Sequence, residues 1–308
     1  MTSIQYINNT SLLINNGESL LLTNPWCNTA FGKWLPSPPT CIHPVYLTSL
    51  AEENKEVFSI LISNIKDDSF DEKYLKLFPK DVNIIIPKRE SNSFKLILNN
   101  MGFNNIEEIG HKTKINNNII KSHSDGTITI ETLDAFIIHS NKNSTFSQES
   151  EVSIDKHLQD YKGRSRYKNG TSDKIILATS LNLSFDDYPN IYGDYNADEE
   201  GFVNILKREI NKSQISSINI GAKYLFYYGG DSHYFIKNKK IPSYKSASFY
   251  RGLIKEHLLD KITFLDLIPG DKFDFEKIHG MFGEFKYSKE TLKNNSLTFY
   301  KNEFTWRR

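Results

Sequence analysis

The chain has 308 residues, 38 % of them apolar and 13 % aromatic, enough to bury the core of one large layered domain. Its 38 basic and 37 acidic side chains leave a formal net charge of +1, so no overall field draws it to nucleic acid or to an anionic membrane. The first residues, MTSIQYINNTSLLINNGESLLL, lack a basic stretch with an apolar run and cleavage site, and no segment approaches the ~20 apolar residues of a membrane span; a cytoplasmic protein is expected.

In chain order, residues 3–7 and 11–15 alternate as short strands, and Asn15-Asn16-Gly17-Glu18 reads as a hairpin turn into a third strand at 19–23. A loop rich in Pro and Trp follows, closing in a short helix near 46–53. Residues 57–63 form a continuous apolar run of strand length, which predicts a strand buried on both faces. After a polar loop, FDEKYLKLF (70–78) has helical apolar spacing. Residues 82–87 predict another buried strand, and 93–101 a helix closed by Gly102.

The rhythm then changes to short strands, among them 127–130 and 135–139. Residues 141–173 are polar, with a short helix and a basic loop, GRSRYKNG (163–170), expected to be solvated. Further elements are a strand at 174–178, a long helix at 198–214, a strand at 224–227 and a helix at 249–259. No repeat or linker divides the chain, so one domain over 1–308 is expected. Two β-rich halves with helices outside them predict a layered α/β fold with mixed sheets. The two cysteines, Cys27 and Cys41, have neither CxxC spacing nor the number for a disulfide framework, and are read as reduced and structural.

Layered α/β proteins place functional groups where a buried strand ends in a polar loop. Here that junction reads Ser63-Asn64-Ile65-Lys66-Asp67-Asp68-Ser69-Phe70-Asp71. With its ILIS strand before and FDEKYLKLF after, it resembles the S-H-x-H-x-D-H loop of the metallo-β-lactamase family. LLLTNPW (20–26) with the aromatic AFGKWLPSPP is similar to that family's TDPW strand and the loop beyond it. LNLSFDDYPNIYGDY (181–195) and LDLIPGDKFD (265–274) resemble the branch that holds the metallo-β-lactamase-like domain of CMP-N-acetylneuraminate hydroxylase. The resemblance implies an αββα sandwich of two mixed sheets with outer helices.

The departures bear on chemistry. Asn64, Lys66 and Ser69 stand where the family has histidines, and only Asp68 survives. Asn24 replaces the aspartate of TDPW, and Lys142 falls where the family has a metal-bridging aspartate. Zinc and iron need three or four lone-pair donors at about 2.0–2.3 Å, and a protonated lysine offers none. No bound metal or other cofactor is therefore expected. Without a metal, nothing lowers the pKa of water from 15.7 to about 7, and the family's hydrolytic nucleophile is lost. Lys66 and Lys142 are expected to neighbour Asp68 as an ion-paired cluster, leaving a site suited to a phosphate or carboxylate.

Three functions follow as expectations. The first is a metal-free, non-hydrolytic protein of carbohydrate or specialised metabolism that binds an anionic small molecule at Asn64, Lys66, Asp68, Ser69, Lys142 and His233. The second is an enzyme with altered chemistry in the same pocket, using Lys66 or Lys142 with Asp68 as acid or base. The third is a structural partner of a second copy or of an active homologue. Set against these, Asp68 reads equally as a cap for a helix starting at Ser69 or Phe70. His139 reads as a structural histidine at a strand end, and Asp186, Asp187, Arg164, Arg166, Tyr167 and Lys168 as exposed loop residues. Trp26 and Trp34 read as core or pocket wall, and Gly229-Gly230 is too short a signal to define a phosphate cradle.

Overall fold

The computed structural model describes residues 1–27, 34–36, 44–66, 69–88, 91–110, 112–143, 146–164, 174–180, 199–228, 232–234, 251–267, 270–276 and 278–279. The first half runs β1 (Ser3–Asn8), β2 (Ser11–Asn15), β3 (Leu20–Thr23), β4 (Trp34–Pro36), α1 (Pro44–Glu53) and β5 (Phe58–Leu61). It continues with α2 (Glu72–Leu75), β6 (Asn83–Pro87), α3 (Ser91–Asn100) and β7 (Ile106–Ile109). The second half begins β8 (Thr113–Ile115), β9 (Asn118–Ser122), β10 (Ile128–Glu131), β11 (Phe136–Asn143), α4 (Gln148–Gly163) and β12 (Ile175–Ser180). Then come α5 (Glu199–Ile220), β13 (Tyr224–Tyr228), β14 (Ser232–Tyr234), α6 (Arg251–Glu256), β15 (Thr263–Phe264), β16 (Lys272–Phe273) and β17 (Ile278–His279).

Among the described residues these strands make two large mixed sheets, ordered β17-β16-β1-β2-β3-β5-β6-β7 and β15-β13-β12-β11-β10-β9-β8, with β4 and β14 as a separate pair. Each large sheet joins an antiparallel meander to a parallel block: β3, β5, β6 and β7 in the first, β11, β12, β13 and β15 in the second. The parallel blocks bury both faces, as their continuous apolar runs require. Leu21, Leu61 and Ile85 pack inward against Ile137, Ile176 and Phe226 of the facing sheet. Leu22, Ile60, Ile84 and Ile86 point the other way, onto Leu47 of α1, Leu75 of α2 and Phe94 and Leu98 of α3. Phe136, Ile138, Ile175 and Leu177 likewise meet Ile154 and Leu158 of α4, Ile210 of α5 and Ile254 of α6. The layers are helix, sheet, sheet, helix, the αββα sandwich that the sequence called for.

The differences from the expected elements have local causes. Helix α2 is a single turn, not the whole of FDEKYLKLF. Its N-cap is Asp71, whose side chain accepts the Tyr74 amide, and Pro79 closes off any continuation. Asp71 is thus the acid that caps this helix.

Helix α4 has 16 residues where a short helix was expected. Its buried face is Ser150, Ile154, His157, Leu158 and Tyr161, so two polar residues interrupt the apolar stripe that pattern reading relies on. Helix α5 runs on to Ile220 because Ile218 and Ile220 keep an apolar face, and Gly221 at φ 76° supplies the left-handed residue that ends it.

Polar residues tie the two sheets together at both edges. At the edge where the parallel strands begin, the Asn16 amide donates to Asn118 Oδ1 (2.9 Å) and the Asn118 amide to Ser19 Oγ (2.9 Å). Thr2 joins Thr132 (Oγ1 to Oγ1, 2.7 Å) and the Asp134 carboxylate beside them. At the opposite edge, where the parallel strands end, the tie is made by His139 and Thr10.

Candidate functional site

The carboxyl ends of β3, β5, β11, β12 and β13 converge on one edge of the sandwich, where doubly covered sheets open a crevice for ligands. Four groups build this edge: the β1–β2 turn, the residues after β3, the 63–71 loop, and the end of β11.

Asn24 is the hub of the first sheet's share. It is fully buried with φ 41°, a left-handed conformation that Asn tolerates better than other side chains. Its backbone N–H donates to the Leu61 carbonyl (2.8 Å) and its Oδ1 accepts the Ser63 amide (2.8 Å). Its Nδ2 reaches Thr10 Oγ1 at 3.3 Å. Where the resembling family carries an aspartate, this chain has an amide that donates on one side and accepts on the other.

Asn64 is held just as closely. Its Oδ1 accepts the Lys66 amide (2.9 Å), an Asx-turn, and its Nδ2 lies 3.2 Å from both Ser63 Oγ and Ser69 Oγ. The Ser69 and Phe70 amides close back onto the Lys66 carbonyl at 2.8 Å. Ser63 and Ser69 are buried, whereas the Lys66 side chain is exposed. Asp71 leaves the loop facing away: one carboxylate oxygen accepts Tyr74 N (3.0 Å), the other Cys27 N (2.9 Å). Cys27 carries no disulfide, and burial, with the Asp71 carboxylate second, pushes its thiol up to about 12, so it is an inert thiol here.

His139 supplies the second sheet's share. The alternation that turns Ile137 inward also turns His139 inward, between the sheets, 1 % exposed. Its Nε2 donates to the Thr10 carbonyl (3.1 Å), which fixes the proton on that nitrogen, since a carbonyl can only accept. Thr23 Oγ1 lies 3.4 Å away, donating to the same carbonyl (3.2 Å) and accepting Leu12 N (2.9 Å). The ring stacks on Tyr228 at 5.0 Å and 27°. Burial lowers its pKa to about 4, against the opposing effect of the Thr10 hydrogen bond, so the ring is neutral at pH 7. The structural reading of His139 thus holds. Sequence pattern gave no sign that its partner lies in the β1–β2 turn.

Of the residues singled out from sequence, Asn64 and Ser69 are brought together and Lys66 lies on the same loop. Asp68 lies outside the described residues, as do Asp186, Asp187, Arg166, Tyr167, Lys168 and the Gly229-Gly230 pair. Lys142 ends β11 and His233 sits in β14, opposite Leu35 of β4, but their side chains are outside the described set. The β4–β14 pairing nonetheless joins the aromatic loop after β3 to the segment after β13. Among the described residues, no carboxylate pairs with Lys66.

Among the described residues the donor set does not fit the catalytic metal of the resembling family. At the described positions it offers two carboxamides, the four hydroxyls of Thr10, Thr23, Ser63 and Ser69 and the Asp71 carboxylate, all engaged with neighbours, an exposed lysine, and one imidazole whose Nε2 is committed to a carbonyl. Among the described residues no group of three or more His, Cys, Asp and Glu is placed to hold a metal ion.

Solved structures share this architecture. A possible metal-dependent hydrolase of Veillonella parvula matches 89 % of this chain and 99 % of its own at a TM-score of 0.58 and 12 % identity. Igni18, a metallo hydrolase of Ignicoccus hospitalis, matches the same shares at 0.53 and 9 %. An isothiocyanate hydrolase from Delia radicum gut bacteria matches 89 % and 98 % at 0.51 and 15 %. At these identities the likeness is one of fold: the chain has the two-sheet architecture on which such hydrolases are built. No sequence-family model and no curated protein matches the sequence.

Two outcomes follow. Asn24→Ala removes both side-chain bonds of a buried residue and places a Cβ-only side chain at positive φ; urea unfolding should show a loss of about 2–4 kcal/mol. His139 adds a pH dependence. Its folded pKa lies below the unfolded value of 6.5, so its contribution is complete above about pH 6.5 and is lost as pH falls toward about 4. In His139→Gln, which keeps a donor but does not titrate, the slope of stability against pH over that window should be shallower by about one proton.

Proposed function

We propose that this chain uses the metallo-hydrolase fold without a metal and binds a small anionic molecule at the strand ends. The observation that carries the reading is the state of Asn64. Where the resembling loop presents its first imidazole, this chain presents a carboxamide whose oxygen and nitrogen are both spent on holding the loop's own backbone and hydroxyls. A group so engaged shapes a site; it does not ligate a cation. Charge supports the anionic ligand. Lys66 after β5 and Lys88 after β6 are exposed on the same edge, and β11, whose last residue but one is Lys142, ends there. The one described carboxylate of the loop, Asp71, is turned into backbone amides.

The finer parts belong to this proposal. They are the grouping of Lys66, Asp68, Ser69, Lys142 and His233 as ligand contacts, the kinship with the CMP-N-acetylneuraminate hydroxylase branch, and a role in carbohydrate or specialised metabolism. That kinship rests on the motifs at 20–26, 63–71, 181–195 and 265–274.

Calorimetric titration with inorganic phosphate, and separately with acetate, tests the reading. Binding of one of them with Kd near or below about 1 mM is expected, weakened about tenfold or more in Lys66→Ala. No heat of binding for either, or equal affinity in the variant, overturns it.

A further inference from the structure

A second polar system lies on the far side of the second sheet, away from the strand-end site. Thr129 and Glu131 alternate along β10 and so share its outer face, beneath α4. His123, in the turn between β9 and β10, lies 2.9 Å through Nε2 from Thr129 Oγ1, and His157 of α4 lies 2.8 Å from the same oxygen through Nδ1. The other nitrogen of His157 is 3.5 Å from Glu131 Oε2, and Arg164, just past the end of α4, donates to that oxygen at 2.7 Å. His123, Thr129, Glu131 and His157 are each 3 % exposed or less. Phe136 closes the apolar side, edge-on to His157 at 5.1 Å. Arg164, expected in a solvated basic loop, is instead the terminal clamp of this chain.

The hydrogen-bond arithmetic gives the chain a direction. Thr129 has one hydroxyl proton and stands between two ring nitrogens, so it donates to one imidazole and accepts from the other. Thr129 is satisfied on both sides when it accepts from His157 Nδ1 and donates to His123 Nε2, while His157 Nε2 stands 3.5 Å from Glu131 Oε2, an ion-pair distance and not a hydrogen bond. When His123 is protonated both of its nitrogens are donors, so two N–H groups face one oxygen and the hydroxyl proton loses its acceptor. His157 belongs to the helix and His123 to the turn that joins two strands of the sheet, so that lost bond acts across the seam between them.

We propose that the Glu131–His157–Thr129–His123 chain is a proton-operated latch that releases helix α4, and with it Arg164, from the second sheet in acid. The other charged groups at the seam fit a latch rather than a rigid clamp. Beside His123 stand Lys121, which disfavours its protonation, and Asp125, which opposes that effect; burial is the largest influence and holds the ring's pKa near 3. Lys156 and Asp160 of α4 face Lys121, and Lys121 Nζ reaches the Ser153 carbonyl at 3.3 Å. Asp125 is occupied with the amides of Thr127 and Ser147 (2.9 and 3.2 Å), the second of which sits at the N-cap of α4. Once α4 lifts, His123 regains a solvent-exposed pKa near 6.5, so the opened state gains population as pH falls. Because α4 follows soon after β11, its release loosens the strand end that bears Lys142.

Hydrogen exchange by mass spectrometry on the full chain, corrected for intrinsic rate, tests this between pH 7.5 and 5. Opening of peptides within 148–163 is expected to rise by up to about tenfold per pH unit below about 6.5. Those of β12 and β13, in the same sheet, should move much less. His123→Gln should flatten the α4 response to under about threefold per unit. Thr129→Val, of the same shape without the shared hydroxyl, should unlatch α4 at pH 7.5 itself, by about tenfold. The latch is overturned if α4 opening is flat with pH, or rises only in step with β12 and β13. Protection of α4 unchanged by Thr129→Val also overturns it, and that readout stands even if His123→Gln does not fold.

Discussion

The hydrogen bond from His139 to the Thr10 carbonyl is the contact on which the strand-end edge depends. Apolar side chains fill the centre between the sheets, and a polar group buried at its edge is costly unless paired, by roughly 1–3 kcal/mol in proteins. The turn that brings Thr10 inward also carries the partner of Asn24, and Asn24 in turn holds the Ser63 amide. One imidazole therefore fixes the distance between the two halves, the β1–β2 turn and the root of the 63–71 loop. A bound metal is the alternative cross-link for an edge of this kind. Here neutral hydrogen bonds span it, and burial keeps the imidazole uncharged.

That exchange alters what the edge can do. A metal polarises water and concentrates charge, whereas amides and hydroxyls already engaged with each other do neither. What remains is shape, plus the positive charge of side chains such as Lys66 and Lys88 that the loops leave exposed. The anion recognition proposed above draws on that charge. The fold's outer helices stay free to take on other duties, as the polar seam beneath α4 illustrates.

Much of the fold was legible because its signals are strong. The runs at 57–63, 82–87 and 174–178 could only be strands buried on both faces, and they are. The motif flanks around 63–71 placed the candidate loop at a strand end. What escaped notice are polar residues whose roles exist only in three dimensions. Asn16 read as a turn residue and Asn24 and Asn64 as departures from a motif, yet with Asn118 they tie sheets and shape loops, because a carboxamide donates and accepts at once. His157 and Ser150 hid a four-turn helix by interrupting its apolar stripe. Arg164 looked like a loop cation because its carboxylate partner lies 33 residues earlier on another element.

The central claim is that hydrogen bonds, not a metal, hold the strand-end edge. The most direct test is elemental analysis of the purified chain, coupled to its thermal midpoint with and without a chelator and with added zinc, iron(II) or manganese(II). The account predicts well under one equivalent of any transition metal per chain and a midpoint that moves by no more than about 1 °C in any of these conditions, since ligation to the native state would shift it. One equivalent of metal per chain, whose removal by chelator lowers the midpoint by several degrees, would contradict it.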